Sequence, residues 1–235
     1  MNYSVVIPLY NEEESIAVLH QKVQKVMEDI DKDYEIIYVD DGSKDKTLFL
    51  LKALAQKFPK TRIISFKENC GQSAAFLAGF KAAAGAWIIT LDGDLQNPPE
   101  EIAKLIKGKE GVDFITGIRV QRRDSFTRRI SSKIAKVSRA VVLKDKTTDT
   151  GCSLRMFKRE IVQYLPAFKN FHRFFTFLVQ SLGFKVKEVE VSHSHRVFGK
   201  SKYGTLARAK EGVADLRGVS WLKKRLIKYE IKYQS

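Results

Sequence analysis

The sequence has very few cysteines, and this limits the classes to which it can belong. Only Cys70 and Cys152 occur among its 235 residues, and they lie too far apart in the chain to form a metal-ligand pair. A disulfide scaffold and a cysteine-zinc fold are therefore excluded, and free thiols in a reducing compartment are expected. No basic flank of a secretory signal precedes Tyr3, so we expect the chain to be cytoplasmic.

Long hydrophobic runs are also scarce. The most apolar window, 74–91, contains Lys81 and two glycines and runs directly into Asp92 and Asp94. An alanine-rich helix followed by a buried strand explains this window better than a membrane span does. We therefore expect a chain that is soluble or peripheral to the membrane and not integral.

Three glycine motifs are missing from the sequence. None of the 14 glycines are spaced Gly-x-Gly, and neither Gly-x4-Gly-Lys nor Gly-x-Ser-x-Gly occurs. These absences argue against a dinucleotide-binding dehydrogenase, a P-loop nucleotidase and an α/β-hydrolase.

Charge is abundant but unevenly distributed. Residues 1–118 contain 14 basic and 18 acidic residues, whereas 119–235 contain 28 basic and 9 acidic residues, and the whole chain carries a formal net charge of +15. A half this basic is compatible with an anionic membrane surface or with nucleic acid. No nucleic-acid motif accompanies the basic residues, and the acidic half would repel phosphates without a metal, so we expect no nucleic-acid partner.

The first half alternates strand-like and helix-like segments. Strands are predicted at 3–9, 34–39, 62–66, 87–91 and 113–117. Helices are predicted at 13–29, 45–58, 73–84 and 98–107, with Ser43 and Asn97 as N-caps of the second and fourth. This alternation predicts an α/β fold with a mostly parallel central sheet flanked by helices. Ligands of such sheets bind at the carboxyl ends of the strands.

The second half is less regular. We predict a basic amphipathic helix at 126–142, strands at 149–157 and 184–191, a helix at 173–182, and a helical segment at 207–233 with a break near Gly218. The phenylalanines of 168–177 are expected in the core, with a route for an acyl chain as the alternative. The apolar stripe of the basic C-terminal segment is expected to lie on anionic lipid, or else on a partner subunit; it comprises Leu222, Leu226, Tyr229 and Tyr233.

Acidic residues follow three of the predicted strands. Asp92 and Asp94 project to the same side of an extended segment and offer the oxygen ligands that a hard divalent cation prefers. A solvated Asp-Gly turn is the alternative for this pair. Asp40 and Asp41 end another strand, and Glu12 follows the first. Together these positions predict a metal-assisted ligand site at one edge of the sheet.

Several segments in the same order resemble glycosyltransferase family 2, and within it the polyprenyl-phosphate glycosyltransferases of the dolichol-phosphate mannose synthase group. The matching segments are Val6–Glu12, Val39–Ser43, Asn69–Gly79, Leu91–Pro99, Gly151–Arg155 and Phe198–Tyr203. The later ones are most similar to bacterial enzymes that load an aminoarabinose-type sugar onto undecaprenyl phosphate. The resemblance covers about residues 3–217.

This resemblance implies a nucleotide-diphospho-sugar transferase fold and assigns site residues. The implied ligands of Mg²⁺ or Mn²⁺ are Asp92, Asp94 and Gln96. The implied donor-binding residues are Pro8, Tyr10, Glu12, Asp41, Asp92, Arg155, Ser201 and Lys202. The implied acceptor phosphate is held by Arg119, Arg128 and Ser132. Asp94 and Asp149 are the implied catalytic residues, with Asp149 alternatively orienting an acceptor-binding arginine or the sugar.

The implied reaction is the inverting transfer of a sugar from a nucleotide sugar, uridine-linked by preference, to a polyprenyl phosphate at the inner face of the membrane. The catalytic domain would span 1–217, with a donor half at 1–118 and an acceptor half at 119–217, followed by a basic amphipathic segment at 218–235. Amphipathic helices or a membrane-protein partner would anchor it, and a homo-oligomer is the other expected partner. A sugar or protein hydroxyl is the alternative acceptor.

Overall fold

The computed structural model describes residues 1–120, 136–194 and 205–226, with the backbone alone for 205–210. Seven strands form one sheet in the order β3-β2-β1-β4-β6-β5-β7. The strands are β1 (Tyr3–Leu9), β2 (Tyr34–Asp40), β3 (Thr61–Ser65), β4 (Trp87–Thr90), β5 (Phe114–Arg119), β6 (Arg155–Lys158) and β7 (Val186–Val191). The predicted α/β fold with a mostly parallel sheet is confirmed.

Helices cover both faces of the sheet. They are α1 (Ile16–Ile30), α2 (Thr47–Lys57), α3 (Gln72–Ala82), α4 (Ile102–Lys107), α5 (136–143), α6 (Phe175–Ser181) and α7 (Thr205–Lys223), with 3₁₀ turns at Pro99–Glu101, Arg159–Tyr164 and Phe171–Arg173. The described part of the chain contains no helix long and apolar enough to cross a bilayer.

The sheet joins residues from both halves of the sequence. Parallel pairing links β3, β2, β1 and β4, and separately links β5 to β7. The short strand β6 lies antiparallel between β4 and β5 and joins the two parallel groups into one sheet. The predicted division at residue 118 therefore falls inside β5, and the predicted boundary at 217 falls inside α7.

Two hydrophobic clusters fill the two faces. Side chains alternate along β1, so Val5 and Ile7 pack with α1 while Val6 packs with α3. Helix α3 lies very close to the sheet at Gly79, where an added Cβ would come within 2.3 Å of the Val6 side chain. The phenylalanine group predicted as core belongs to the cluster around α3, with Phe168 at its edge.

Three local predictions are wrong. Helix α2 begins after Lys46 and has no side-chain cap, because the Ser43 hydroxyl accepts a hydrogen bond from the Asn11 amide instead. Asn97 does not cap the following 3₁₀ turn, since its side-chain amide donates to the Ser153 hydroxyl. Helix α7 continues without a break through Gly218.

The prediction that the apolar stripe of the C-terminal segment lies on lipid or on a partner subunit is wrong for Leu222. Leu222 packs against the cluster around α3, and its neighbour Val219 is fully enclosed there. This part of α7 therefore stabilises the core. Tyr229 and Tyr233 lie outside the described residues.

Candidate active site

The three acidic strand ends meet at one edge of the sheet, as predicted. Strand β1 pairs with both β2 and β4, so the loops that follow these strands are neighbours. Hydrogen bonds join the first two loops: the Lys44 amide donates to Asn11 Oδ1 (2.8 Å), and the Glu12 amide donates to Thr47 Oγ1 (2.9 Å). Pro8, Tyr10 and Glu12 are half-buried along this edge.

Asp41 connects the end of β2 to the start of α3. Its carboxylate accepts hydrogen bonds from the Asn69 side chain (2.9 Å) and from the backbone amides of Cys70 (2.7 Å) and Gly71 (3.0 Å). Burial raises the pKa of Asp41 above its ordinary value, and these donors only partly offset that effect. The contact of Asp41 with a nucleotide stays a prediction. In the structure, the Asp41 carboxylate holds the loop at 69–71 in place.

The Asp92–Gln96 segment leaves β4 in a strained conformation. Leu95 has φ +59°, which places a bulky side chain in the left-handed region between two predicted metal ligands. Such a conformation costs about 1–3 kcal/mol and occurs mostly at functional sites. Asp94 is buried, and its Oδ1 accepts a hydrogen bond from the Gln96 amide (3.1 Å). The left-handed turn at Leu95 fixes the path of this segment at the edge of the sheet.

The two aspartates of this segment repel each other. Burial first, and the charge of Asp94 second, raise the pKa of Asp92 to about 6. One oxygen of Asp92 accepts a hydrogen bond from the Gln72 side chain (2.8 Å), which is a neutral partner. Within the described residues no group of three or more acidic, histidine or cysteine side chains surrounds a metal position. Two carboxylates that share the ion with phosphate or water suit Mg²⁺ or Mn²⁺, so the residues present fit such a cation.

On the other side of the site, an aspartate and an arginine form a close ion pair. The Arg119 guanidinium donates to both oxygens of Asp149, from Nε at 2.7 Å and from Nη2 at 2.9 Å. The pair is largely buried, and the approach is so close that a Cβ at Gly151 would lie 2.5 Å from Arg119 Nη2. This contact is compatible with the alternative in which Asp149 orients an arginine, and the role of Asp149 stays a prediction.

Arg155 lies deep beside this pair. It is only 3% exposed, donates to the Thr150 carbonyl (3.0 Å), and its guanidinium lies over the Phe175 ring at 5.7 Å. Arg128, Ser132, Ser201 and Lys202 lie outside the described residues, so their predicted roles stay predictions.

A cavity of about 1100 Å³ separates the acidic and basic sides. Asp92 and the first turn of α3 form one wall, Arg139 and Arg155 form another, and residues 167–173 form a third. The cavity has the size expected of a small-molecule site. Its basic wall and acidic edge are arranged to hold a phosphate-bearing ligand near a cation.

Three cavity residues, Gln72, Ser73 and Arg139, were given no ligand-binding role from the sequence, and His172 was considered there only as a possible ligand. Gln72 contacts Asp92, and Arg139 lies beside Thr150 and Asp145. Ser73 Oγ and His172 Nδ1 are 2.7 Å apart, which joins the start of α3 to the wall at 167–173. The Gln72–Asp92 and Ser73–His172 pairs are 20 and 99 residues apart in sequence, so no local pattern reveals these contacts, although Gln72 and Ser73 lie within the matching segment Asn69–Gly79.

A family model for glycosyl transferase family 2 matches residues 4–165, which include β1 to β6 and the carboxylate edge. The chain belongs to glycosyltransferase family 2. The resemblance stated from the motifs is thereby confirmed.

Curated relatives of this family 2 chain are similar to it over most of its length. It is 40% identical over 208 residues to an undecaprenyl-phosphate 4-deoxy-4-formamido-L-arabinose transferase of Pectobacterium carotovorum, covering 87% of this chain and 63% of the relative. The corresponding protein of Pseudomonas aeruginosa is 37% identical over 205 residues, covering 86% of this chain and 60% of the relative. The chain thus spans about three fifths of the length of these relatives.

Solved structures share the fold at low sequence identity. Glucosyl-3-phosphoglycerate synthase from Mycobacterium tuberculosis, in complex with Mn²⁺, uridine diphosphate and phosphoglyceric acid, superposes with a TM-score of 0.72 at 17% identity, covering 97% of this chain and 80% of that one. S. aureus TarS superposes with a TM-score of 0.64 at 17% identity, covering 98% and 67%. These likenesses confirm the nucleotide-sugar transferase fold.

Proposed function

We propose that the chain transfers a sugar from a nucleotide diphosphate donor to a polyprenyl phosphate, with inversion at the anomeric carbon. The observation that carries this proposal is the cavity that lies between the Asp92 edge and the arginine wall. Relatives at 37–40% identity are named as undecaprenyl-phosphate transferases, which supports undecaprenyl phosphate as the acceptor. Their donor sugar, 4-deoxy-4-formamido-L-arabinose, is the first candidate for this chain.

Asp92 and Asp94 would hold Mg²⁺ or Mn²⁺, with Gln96 as a further ligand. Solved structures of the fold contain Mn²⁺ or Mg²⁺ together with uridine diphosphate, which supports a divalent cation and a uridine donor here. When bound, the cation would neutralise negative charge on the departing nucleoside diphosphate. The neutral contact from Gln72 keeps Asp92 oriented without removing its charge.

The acceptor side needs positive charge more than it needs a base. A phosphate monoester is already anionic at neutral pH, so its oxygen attacks the sugar without giving up a proton first. Arg119 and Arg155 supply charge-assisted donors for the phosphates. Asp149 holds Arg119 through two hydrogen bonds and thereby fixes the direction of its guanidinium. We assign Asp149 this positioning role.

The lipid acceptor places the reaction at the membrane surface. We propose a peripheral association with the inner face, driven by the basic half of the sequence and anionic lipid. A family 2 transferase that uses a hydroxyl acceptor is the second candidate. The processive branch with Gln-x-x-Arg-Trp is disfavoured, because no Arg-Trp pair occurs in the sequence.

A donor panel tests the proposal. Nucleotide sugars, including uridine-diphosphate-linked 4-deoxy-4-formamido-L-arabinose, are offered with detergent-solubilised undecaprenyl phosphate and Mg²⁺ or Mn²⁺, and glycolipid is measured by mass spectrometry. We expect product with at least one donor and none in chelator. Transfer to a free sugar hydroxyl, with no glycolipid from any donor, would show that the acceptor assignment is wrong.

A further inference from the structure

Helix α5 exposes apolar side chains to solvent and buries a charged one. Its buried side carries Leu143, which is fully enclosed, and Arg139, which reaches the cavity and pairs with Asp145. Its outer side carries Val137 and Val141, one helical turn apart, which are 55% and 74% exposed. A soluble helix normally presents the opposite arrangement.

Helix formation does not explain these valines. β-Branched side chains lose rotamer freedom in a helix and are poorer helix formers than the lysine or glutamate typical of exposed positions. Val142 is exposed as well, so three valines within six residues face water. Exposed apolar patches of this kind mark surfaces that another apolar phase covers.

The charges around the valines indicate what covers them. Lys136, Lys144 and Lys146 are exposed, and the single acidic residue of 136–148, Asp145, is buried against Arg139. Every exposed charge of this described segment is therefore positive. An apolar strip flanked only by lysines fits a bilayer with anionic headgroups, because valines enter the acyl boundary while lysine heads reach the phosphates.

The end of α7 lies next to the end of α5 and carries a further exposed aromatic side chain. The Lys223 ammonium donates to the Leu143 carbonyl (2.7 Å), which fastens the end of α7 to the end of α5. Near this contact, Trp221 is 57% exposed and the Arg225 guanidinium lies over its ring at 4.7 Å. Tryptophan is the residue most typical of membrane–water interfaces.

We infer that the outer face of α5 (Val137, Val141 and Val142), together with Trp221, is the surface by which the chain docks on an anionic lipid bilayer. The inference rests on the proposed function and deepens it, since Arg139 on the opposite side of α5 lines the cavity. A bilayer against the valines would place lipid headgroups beside the helix whose inner side carries Arg139.

Vesicle co-sedimentation tests this surface. The probes are vesicles of phosphatidylcholine alone and vesicles with added phosphatidylglycerol. The variant Val137→Ser/Val141→Ser should bind the anionic vesicles about tenfold or more weakly than wild type. The matched control is Phe49→Ser on α2, a 72% exposed aromatic in the acidic half, which should bind like wild type. Circular dichroism confirms that both variants fold.

Four results would overturn the inference: unchanged vesicle binding of the folded valine variant, equal loss in the Phe49 control, equal binding to both vesicle types, or a wild-type dimer that the valine substitutions dissociate. Removing residues 227–235 provides a further comparison, because release by that truncation alone would place the contact in the C-terminal segment. Transfer by wild type in detergent reports separately on the proposed function, so its failure leaves the vesicle result standing.

Discussion

The two sides of the cavity use aspartate in opposite ways. On the carboxylate edge, Asp41 and Asp92 accept hydrogen bonds from neutral amides, and burial raises the pKa of both. On the basic side of the site, Asp149 contacts the Arg119 guanidinium and Asp145 contacts the Arg139 guanidinium. Among the described residues, the carboxylates of the first pair have no cation in direct contact and can take one from a ligand, whereas each carboxylate of the second pair already lies beside a guanidinium.

The position of an acidic residue therefore says less about its function than its partners do. Asp92 and Asp149 are both buried or half-buried, and both stand near the cavity, yet only Asp92 is held by a neutral side chain. A carboxylate already neutralised by arginine is poorly suited to bind a cation. This difference separates the metal edge from the positioning network, and each side can be tested alone.

The largest effect is expected at the carboxylate edge. Asp92→Asn and Asp94→Asn should each lower sugar transfer by at least about a hundredfold, because the charge that holds the cation is lost. The fold should remain intact, which circular dichroism checks. Asp29→Asn on the exposed side of α1 is the control. Near-normal transfer by both site variants in the presence of chelator would contradict the metal assignment.

Arg119 and Asp149 should respond as one unit. Asp149→Asn removes the carboxylate charge that both Nε and Nη2 of the largely buried Arg119 contact, and it should cost about 3–5 kcal/mol of unfolding free energy, measured in urea. If Asp149 acts only through Arg119, the double variant Asp149→Asn/Arg119→Gln should transfer sugar no more slowly than the slower single variant.

The same single and double variants of Asp149 and Arg119 also report on the binding of the two substrates. Both single variants should raise the KM for lipid phosphate more than the KM for the nucleotide sugar. Additive losses in kcat, with the KM for lipid unchanged, would instead give Asp149 a direct part in the chemistry.

The raised pKa of Asp92 predicts a pH dependence of stability. The folded chain holds this proton more tightly than the unfolded chain does, so without a cation the folded state loses up to about 3 kcal/mol as the pH rises from about 4 to about 6. Asp92→Asn should therefore be more stable than wild type at pH 7 in chelator, and the difference should vanish near pH 4. Mg²⁺ or Mn²⁺ should stabilise wild type alone. A variant no more stable than wild type at pH 7 would falsify this view of the edge.

The smallest effect is expected at Asp41. Asp41→Asn replaces one acceptor oxygen with a donor that faces backbone amides, which should cost about 1–2 kcal/mol of unfolding free energy. If the loop at 69–71 shapes the donor site, the KM for nucleotide sugar should rise while the KM for lipid phosphate does not. A parallel rise in both would show that the loop supports the whole cavity.

Sequence periodicity was sufficient for the strands of the first half and for the carboxylate edge, but it did not reveal the antiparallel pairing of β6. β1 has the predicted bounds, and the acidic residues after β1, β2 and β4 converge because parallel strands end at a common edge. Local patterns failed where distant residues compete for the same group. Ser43 could cap α2, but Asn11 from the neighbouring loop takes its hydroxyl.

The residues of the cavity wall show the same limit. His172 meets Ser73 across 99 residues of sequence, and the contact depends on how residues 167–173 fold over α3. The buried position of Arg139 was equally hidden, because Val137 and Val141 lie one turn apart in the predicted amphipathic helix 126–142, and that spacing favours burial of the valines.

The central position of β6 also has a consequence for biosynthesis. β4 pairs with β1 soon after both are made, but its other edge has no strand to pair with until β6 is complete. β6 lies about 65 residues further along the chain, so the ribosome needs roughly 3–13 s to reach it. During that interval an apolar strand edge is open to pairing with other chains. Slower translation between β5 and β6 should therefore increase aggregation of the nascent protein more than slower translation after β7.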